Sequence, residues 1–318
     1  MVEIRPKVSV GIPVYNGEKF LAQALDSILP QTFTDFEIII ADNASSDRTR
    51  EICLQYEQKD KRIRYYRNNT NVGAAPNHNL LVDLAKGEYF KWAAYDDRIA
   101  PEFLSRCVEI LDTHPDVVLC LPMTGRIDEH GNYLGEDVYV QGVDEANLIR
   151  RFSTFALHSR TGSFNYGLMR ASTLSRTSLH GSFPSSDLVF QAELALYGRF
   201  YIVPEILFFR RSHPAQSTKG SLSKEWARRH FFDTSLKGRI LLPKWLSLFS
   251  LLRAVKKAPL NRLERLKCNL CLIQWIFIPR NLRGMIKDLI RASIRILART
   301  LRRKRSRVSE TSDIVKGS

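Results

Sequence analysis

Short apolar runs alternate with segments of helical spacing through the first third of the chain. Val8–Ile12 is an apolar run suited to a central strand. Phe20, Leu21, Ala24, Leu25 and Ile28 recur at helical spacing after it. Phe36–Ala41 predicts a second strand. A helix carrying Ile52, Cys53 and Tyr56 follows, with Ser45 or Ser46 as a ready N-cap. Ile63–Tyr66 predicts a third strand, residues 75–85 a third helix and Tyr89–Ala94 a fourth strand. Ile99–Leu104 then opens a helix with Pro101 in its first turn. Such alternation predicts an α/β layer with a largely parallel sheet and right-handed crossovers.

Val117–Leu121 reads as a fifth strand. The polar stretch 124–142 suits a hairpin around Asp128–Asn132. Phe164–Arg170 is a strand candidate. A helix is expected from Ser185 to Tyr197, stopped by Gly198, and then two short strands, Phe200–Val203 and Ile206–Arg210. After Ser223 the texture changes. Residues 240–252 and 272–278 are strongly apolar with aromatic and basic punctuation. The last helix places Leu282, Met285, Ile286, Leu289, Ile290, Ile294, Leu297 and Leu301 on one side, while Arg283, Lys287, Arg291, Arg295 and Arg299 recur every fourth residue on another. That is a basic amphipathic helix. The expected division is therefore a domain of residues 1–223 and a basic helical region of residues 224–318 whose last residues are disordered.

Charge sharpens that division. The net charge of +15 is carried by the second region, with 24 Lys+Arg against 6 Asp+Glu, whereas the first has 24 against 27. A polyanionic partner is implied for the tail. Trp245, Phe249, Trp275 and Phe277, interleaved with the cations, suit an anionic membrane surface better than nucleic acid, and no nucleic-acid partner is expected. The other reading of the last helix is packing on the body with its arginine stripe in water. Five cysteines give no disulfide framework, and Cys268 and Cys271 suit core or membrane-facing thiols better than zinc. No signal peptide and no clean transmembrane run is evident, so a cytoplasmic protein peripheral to the inner membrane face is expected.

Chemistry concentrates where strands end. Asp42 follows the second strand, and Asp96-Asp97 follows the fourth. In open α/β sheets ligands bind outside the carboxyl ends of the strands. Two adjacent carboxylates repel, and a divalent cation bound through oxygen is the natural counter-charge. A solvated turn capping the next helix is the plainer reading.

Taken together, Pro13-Val-Tyr-Asn16, Asp42 through Thr49, Asn71-x-Gly73 to Asn79, Gly87-Glu-Tyr89, Asp96-Asp97 and Arg210-Arg-Ser-His213 resemble the family 2 glycosyltransferases of GT-A fold, over residues 7–218. The resemblance implies a Rossmann-like α/β domain with a mixed, mostly parallel central sheet. It also implies an inverting hexosyl transfer from a UDP- or dTDP-sugar to a glycan or lipid-linked acceptor, in cell-surface polysaccharide or glycolipid synthesis. Asp42 would accept the ring N–H of the base, or else cap the following helix. Pro13 and Tyr15, with Asn16, would wall the base and ribose, and Asn71 and Gly73 would approach the base edge, or form a plain turn. Asp97 would chiefly hold Mg²⁺ or Mn²⁺, with Asp96 on ribose or a metal-bound water and His213 completing the metal shell or touching the diphosphate. An acidic residue often found two positions before the pair is Ala94 here. Asp187 would be the base that deprotonates the acceptor, with Glu193 a weaker substitute; the usual acidic neighbour of Asp187 is Ser186. Residues 217–223 would form a lid. The alternatives are a family member that binds nucleotide-sugar without catalysis and a nucleic-acid binder acting through the basic tail.

Overall fold

The computed structural model describes residues 5–137, 142–158, 163–214, 232–236 and 239–316, with side chains up to residue 298. The predicted alternation is present: β1 (Val8–Val14), α1 (Leu21–Ile28), β2 (Phe36–Asp42), α2 (Thr49–Lys59), β3 (Ile63–Arg67), α3 (Ala74–Leu84) and β4 (Tyr89–Trp92). β1 and β2 are buried along their whole length, which is why they read as continuous apolar runs rather than alternating ones. Each Val or Ile enclosed there contributes about 2 kcal/mol of burial.

Among the described residues the sheet has nine strands. β1 pairs in parallel with β2 and β4, and β2 with β3. Beyond β4 the order continues through β8 (Leu168–Arg170), β6 (Val117–Ile127), β9 (Arg199–Arg211) and the short β5 (Arg98–Ile99), with β7 (Tyr133–Glu136) hairpinned onto β6. β8 is antiparallel to both β4 and β6, and β9 is parallel to β6. Two reversals restore the direction. The carboxyl ends of β6 and β9 therefore fall on the same edge as those of β1 to β4, and the loops after Val14, Asp42, Arg67, Trp92 and Arg211 converge there.

Several local expectations change. β9 is one strand of 13 residues, not two. Its register against β6 jumps from Val203 opposite Pro122 to Ile206 opposite Met123, and this irregularity accommodates Pro204, which has no N–H for the ladder. α2 begins at Thr49, and neither Ser45 nor Ser46 caps it; Asp47 Oδ1 accepts the Thr49 N–H instead, at 3.0 Å. Arg98–Ile99 pair with β9, so α4 (Phe103–Thr113) starts after Pro101 rather than around it. A 3₁₀ turn, Ser163–Tyr166, occupies the first half of the strand expected from Phe164. The hairpin at Asp128 is present, with Asp128 Oδ1 accepting the N–H groups of His130 and Asn132, each at 2.8 Å. Between β7 and β9 lie α5 (Leu148–Ser153), a π-helical turn (Thr154–His158), α6 (Ala171–Leu174) and α7 (Ser186–Leu194).

The C-terminal region is helical: α8 (Pro243–Lys257), α9 (Arg262–Phe277) and α10 (Pro279–Lys316). A capping box starts α9, with Asn261 Oδ1 accepting the Glu264 N–H and the Glu264 carboxylate accepting the Asn261 N–H. Leu248, Leu251, Ala254, Val255, Leu272 and Trp275 join the same core as the sheet. Cys268 and Cys271 are also buried in it, as the core reading expected, and burial pushes their thiols up to about 12 and about 11. Among the described residues no helix is long and apolar enough to cross a membrane. The boundary at 223/224 and the lid at 217–223 lie outside the described residues, as do the side chains of Arg299 and Leu301.

Candidate active site

The carboxyl edge of the sheet is built from the inside out. Asp42, the last residue of β2, has no exposed surface. Its Oδ1 accepts the Ser45 N–H at 2.8 Å, and its Oδ2 accepts the Tyr65 hydroxyl at 2.7 Å and Arg67 Nε at 3.1 Å. Burial, then the Asp42 carboxylate, pushes the Tyr65 hydroxyl up. Asp42 therefore organises its own loop, and a base reaches its oxygens only if Tyr65 or Arg67 moves aside. Asn16, at φ 53°, ties the loop after β1 to the loop after β2: its Oδ1 accepts the Ser46 N–H at 2.9 Å, and its own N–H donates to Ser45 Oγ at 2.9 Å. Pro13 lies buried within β1 opposite Ala41, and Tyr15, 47% exposed, is the open ring.

Asparagines build the next loop. Asn43 Nδ2 donates to Asn71 Oδ1 and to the Gly73 carbonyl, and Asn43 Oδ1 accepts from the Val72 N–H and Asn68 Nδ2. Gly73 sits at φ +96°, and a Cβ there would lie 2.5 Å from the Asp233 Cα. Only glycine allows the 232–236 segment to settle on this loop, where Thr234 Oγ1 donates to the Asn71 carbonyl at 2.8 Å. Asp233 Oδ2 in turn accepts Ser182 Oγ at 2.9 Å, so the same segment reaches the approach to α7.

The acidic pair lies beyond β4. Asp96 Oδ2 is 2.9 Å from His213 Nε2, which places the end of β9 against the loop after β4. Asp97 Oδ1 accepts the Arg211 N–H at 2.8 Å, and Asp97 is 7% exposed. Burial, then the neighbouring Asp96, pushes the Asp97 carboxyl well above the usual range, against the Arg211 N–H, Arg210 and Lys91. Arg211 is itself buried. Its guanidinium holds the Asp96 carbonyl and the carbonyls of Asp128 and Glu129, fixing the acidic turn to the hairpin. Lys91, fully buried in β4, donates to the Tyr166 and Trp92 carbonyls, and burial lowers its ammonium to about 7.

Asp187 occupies the first turn of α7, and burial raises its carboxyl. Burial first, and then the charges of Asp97, Asp96 and Asp187, push the Tyr166 hydroxyl up. Glu193 accepts the Ser178 N–H and hydroxyl, away from the pair. Among the described residues no three His, Cys, Asp or Glu side chains form a preformed metal cage. Two carboxylates and an imidazole nevertheless suit Mg²⁺ or Mn²⁺, because such ions take one or two protein carboxylates and complete their shell with water and substrate phosphate.

The sheet, its crossovers and this edge define a GT-A-like α/β fold. Solved structures share it: Staphylococcus aureus TarS 1-349, with TM-score 0.56, 18% identity and coverage of 89% of this chain and 88% of that one, and the mannosyltransferase PcManGT from Pyrobaculum calidifontis in complex with GDP-Man and Mn²⁺, with TM-score 0.50, 17% identity and coverage of 93% and 88%. The profile of glycosyl transferase family 2 matches residues 9–173, and the chain belongs to that family. An uncharacterised glycosyltransferase of Methanocaldococcus jannaschii is 37% identical over 134 residues, 42% of this chain and 46% of the relative. The glycosyltransferase GlyG of Streptococcus pneumoniae is 31% identical over 145 residues, 43% of this chain and 44% of the relative. The matches thus span about half the length of these relatives.

Sequence reasoning missed the residues that hold the site rather than line it. Arg211 stood out only as a neighbour of His213, Tyr65 only as a strand residue, and Arg67 not at all. Lys91 left a visible signal: one lysine inside the apolar run Tyr89–Ala94.

Proposed function

We propose that this protein transfers a glycosyl group from a nucleotide-sugar, a UDP- or dTDP-sugar, to an acceptor hydroxyl with inversion. The observation that carries this reading is the meeting of the Asp96–Asp97 pair with His213 and Arg211 at the carboxyl edge of the sheet. Tyr15 offers an open aromatic face to the base. Asp97, Asp96 and His213 are the residues that would hold a divalent cation. Such an ion supplies charge neutralisation for the departing diphosphate. Asp187 takes the proton of the acceptor hydroxyl as that oxygen bonds to the anomeric carbon and the bond to the nucleoside diphosphate breaks. Its raised carboxyl suits a base, because burial strengthens proton affinity.

The acceptor is a glycan or a lipid-linked molecule at a membrane surface. Support comes from α9, where Leu263, Leu266, Leu270, Ile273 and Phe277 recur at spacings of three and four and are 50% to 68% exposed. Arg262, Arg265 and Lys267 interleave with them. That combination fits the interface of an anionic bilayer. The central test is Asp187→Asn. It should bind nucleotide by calorimetry as the wild type does and lose transfer by roughly 100-fold to 10,000-fold. Unchanged turnover would remove Asp187 as the base.

A further inference from the structure

A cavity on the side of α7 facing the C-terminal helices has no part in the donor site described above. Five elements meet around it: the π-helical turn, the start of α7, α8, the end of α9 and the start of α10. It is half open to solvent and has a cavity volume of about 130 Å³. Phe155, Leu251 and Trp275 give it an apolar wall, and Lys244 and Arg280 place two cations in the same space.

Lys244 Nζ donates to Asn281 Oδ1 at 3.0 Å and stands 5.6 Å from the centre of the Trp275 ring. Asp288 accepts the Lys244 backbone N–H at 2.7 Å. Burial, and then Arg280, lower the Lys244 ammonium, against the pull of Asp288. Two mutually repelling cations against aromatic and aliphatic walls favour an anion that brings its own apolar body. Arg280 follows Phe277 by three residues, so the cations begin where the exposed apolar stripe of α9 ends. A soluble anion makes no use of that stripe. A phosphate carried on a lipid uses both.

We propose that this cavity receives the phosphate headgroup of a membrane lipid, with the Lys244 ammonium and the Arg280 guanidinium on the phosphate and the lipid chain leaving along the α9 stripe. Ser185, the N-cap residue of α7, and Leu188, in its first turn, line the cavity, two positions before Asp187 and one after it. A headgroup held there lies against the start of α7, the helix whose first turn carries the residue assigned as the base, so the lipid phosphate anchors the acceptor; this last link rests on the proposed transferase function.

The test needs no sugar donor, so it stands or falls apart from the transfer reaction. The full chain is sedimented with phosphatidylcholine vesicles doped with phosphatidic acid, a lipid phosphomonoester, or with phosphatidylglycerol, a phosphodiester, at matched surface potential. The wild type should bind the phosphatidic acid vesicles at least roughly 10-fold more tightly. Lys244→Gln with Arg280→Gln should erase that preference while leaving the weaker binding to phosphatidylglycerol. Because Lys244 is partly buried, Arg280→Glu at the exposed position provides a second variant, expected to lose most of the preference with an unchanged melting temperature. A preference that survives in both variants overturns the site. Equal binding of the wild type to both vesicle types overturns it as well. Inorganic phosphate alone, if it abolishes the preference at low millimolar concentration, shows a site for free phosphate and overturns the lipid assignment.

Discussion

At the sheet edge, Asp42, Lys91, Asp97 and Arg211 are all between 0% and 7% exposed, and each meets a defined partner. On α9 the situation is inverted: Leu266, Leu270 and Phe277 stand 51% to 68% exposed, with charged neighbours in water. The first region takes charges out of solvent and fixes their geometry with backbone carbonyls and N–H groups. The second leaves apolar area that folding did not cover. Buried charge of that kind is costly unless paired, and uncovered apolar area of that extent marks an interaction surface. One region buries its charges against defined partners, and the other leaves apolar side chains in contact with water.

The largest effect should come from breaking the buried side of this contrast. Asp97→Asn removes the buried carboxylate that accepts the Arg211 N–H and whose proton affinity burial raises. Metal-dependent hydrolysis or transfer of the nucleotide-sugar should fall roughly 100-fold to 1,000-fold. EDTA should reduce the wild type to the level of the variant. Full wild-type activity in EDTA would remove the metal assignment.

Next in size is the exposed side. Leu266→Glu with Leu270→Glu changes two residues that are 55% and 51% exposed, so the fold should keep its melting temperature. Each leucine withdrawn from a membrane forfeits about 1.5 kcal/mol or more. Sedimentation with vesicles should therefore weaken by roughly 100-fold or more for the pair. Size-exclusion chromatography supplies the alternative outcome: a wild-type dimer that the same variant splits would make the stripe a seam between two copies.

The sequence disclosed these two regions unequally. The parallel half of the sheet was legible because β1 and β2 are buried on both faces and carry unbroken apolar runs. β9 was not, because Pro204 looks like a strand break when no partner strand is in view; only the register shift against β6 makes it one strand. Asp96, Asp97 and His213 were found by their order along the chain, and their meeting at one edge follows from the direction of β9. The enclosure of Asp42 by Tyr65 and Arg67 was not legible, since it depends on a neighbouring strand that a linear pattern does not place. In the tail, amphipathicity showed that a face exists, but not that α9 would turn its leucines outward while Cys268, Cys271 and Trp275 face the core.

A smaller effect probes Lys91. Its ammonium is lowered from the ordinary lysine value of 10.5 to about 7 by burial, so between those values the unfolded chain binds a proton that the folded chain does not. Stability should rise with pH across the window from about 7 to 10.5, by about 1.4 kcal/mol per unit at most, and level off below it. Urea midpoints at pH 7, 8 and 9 measure this slope. Lys91→Met should flatten it relative to the wild type. An identical slope in the variant would mean that Lys91 keeps its charge throughout, held by the Tyr166 carbonyl and Asp97.

The smallest effect separates charge from apolar contact within the tail. Arg283 and Lys287 are exposed on α10, and the apolar residues Ile286 and Leu289, beside them in sequence, are 49% and 46% exposed. A cation near an anionic leaflet contributes about 1 kcal/mol, so Arg283→Gln with Lys287→Gln should weaken binding to anionic vesicles roughly 30-fold. Binding to neutral phosphatidylcholine should not change, because the apolar side chains remain. Raising the salt should weaken the wild type more steeply than the variant, since the lost contribution is one that salt screens. The α9 leucine variant should show the opposite signature, losing affinity for neutral and anionic vesicles alike. If both variants lose neutral and anionic binding equally, the two kinds of residue do not act independently, and the helices bind as one unit whose folding on the body is what the substitutions disturb.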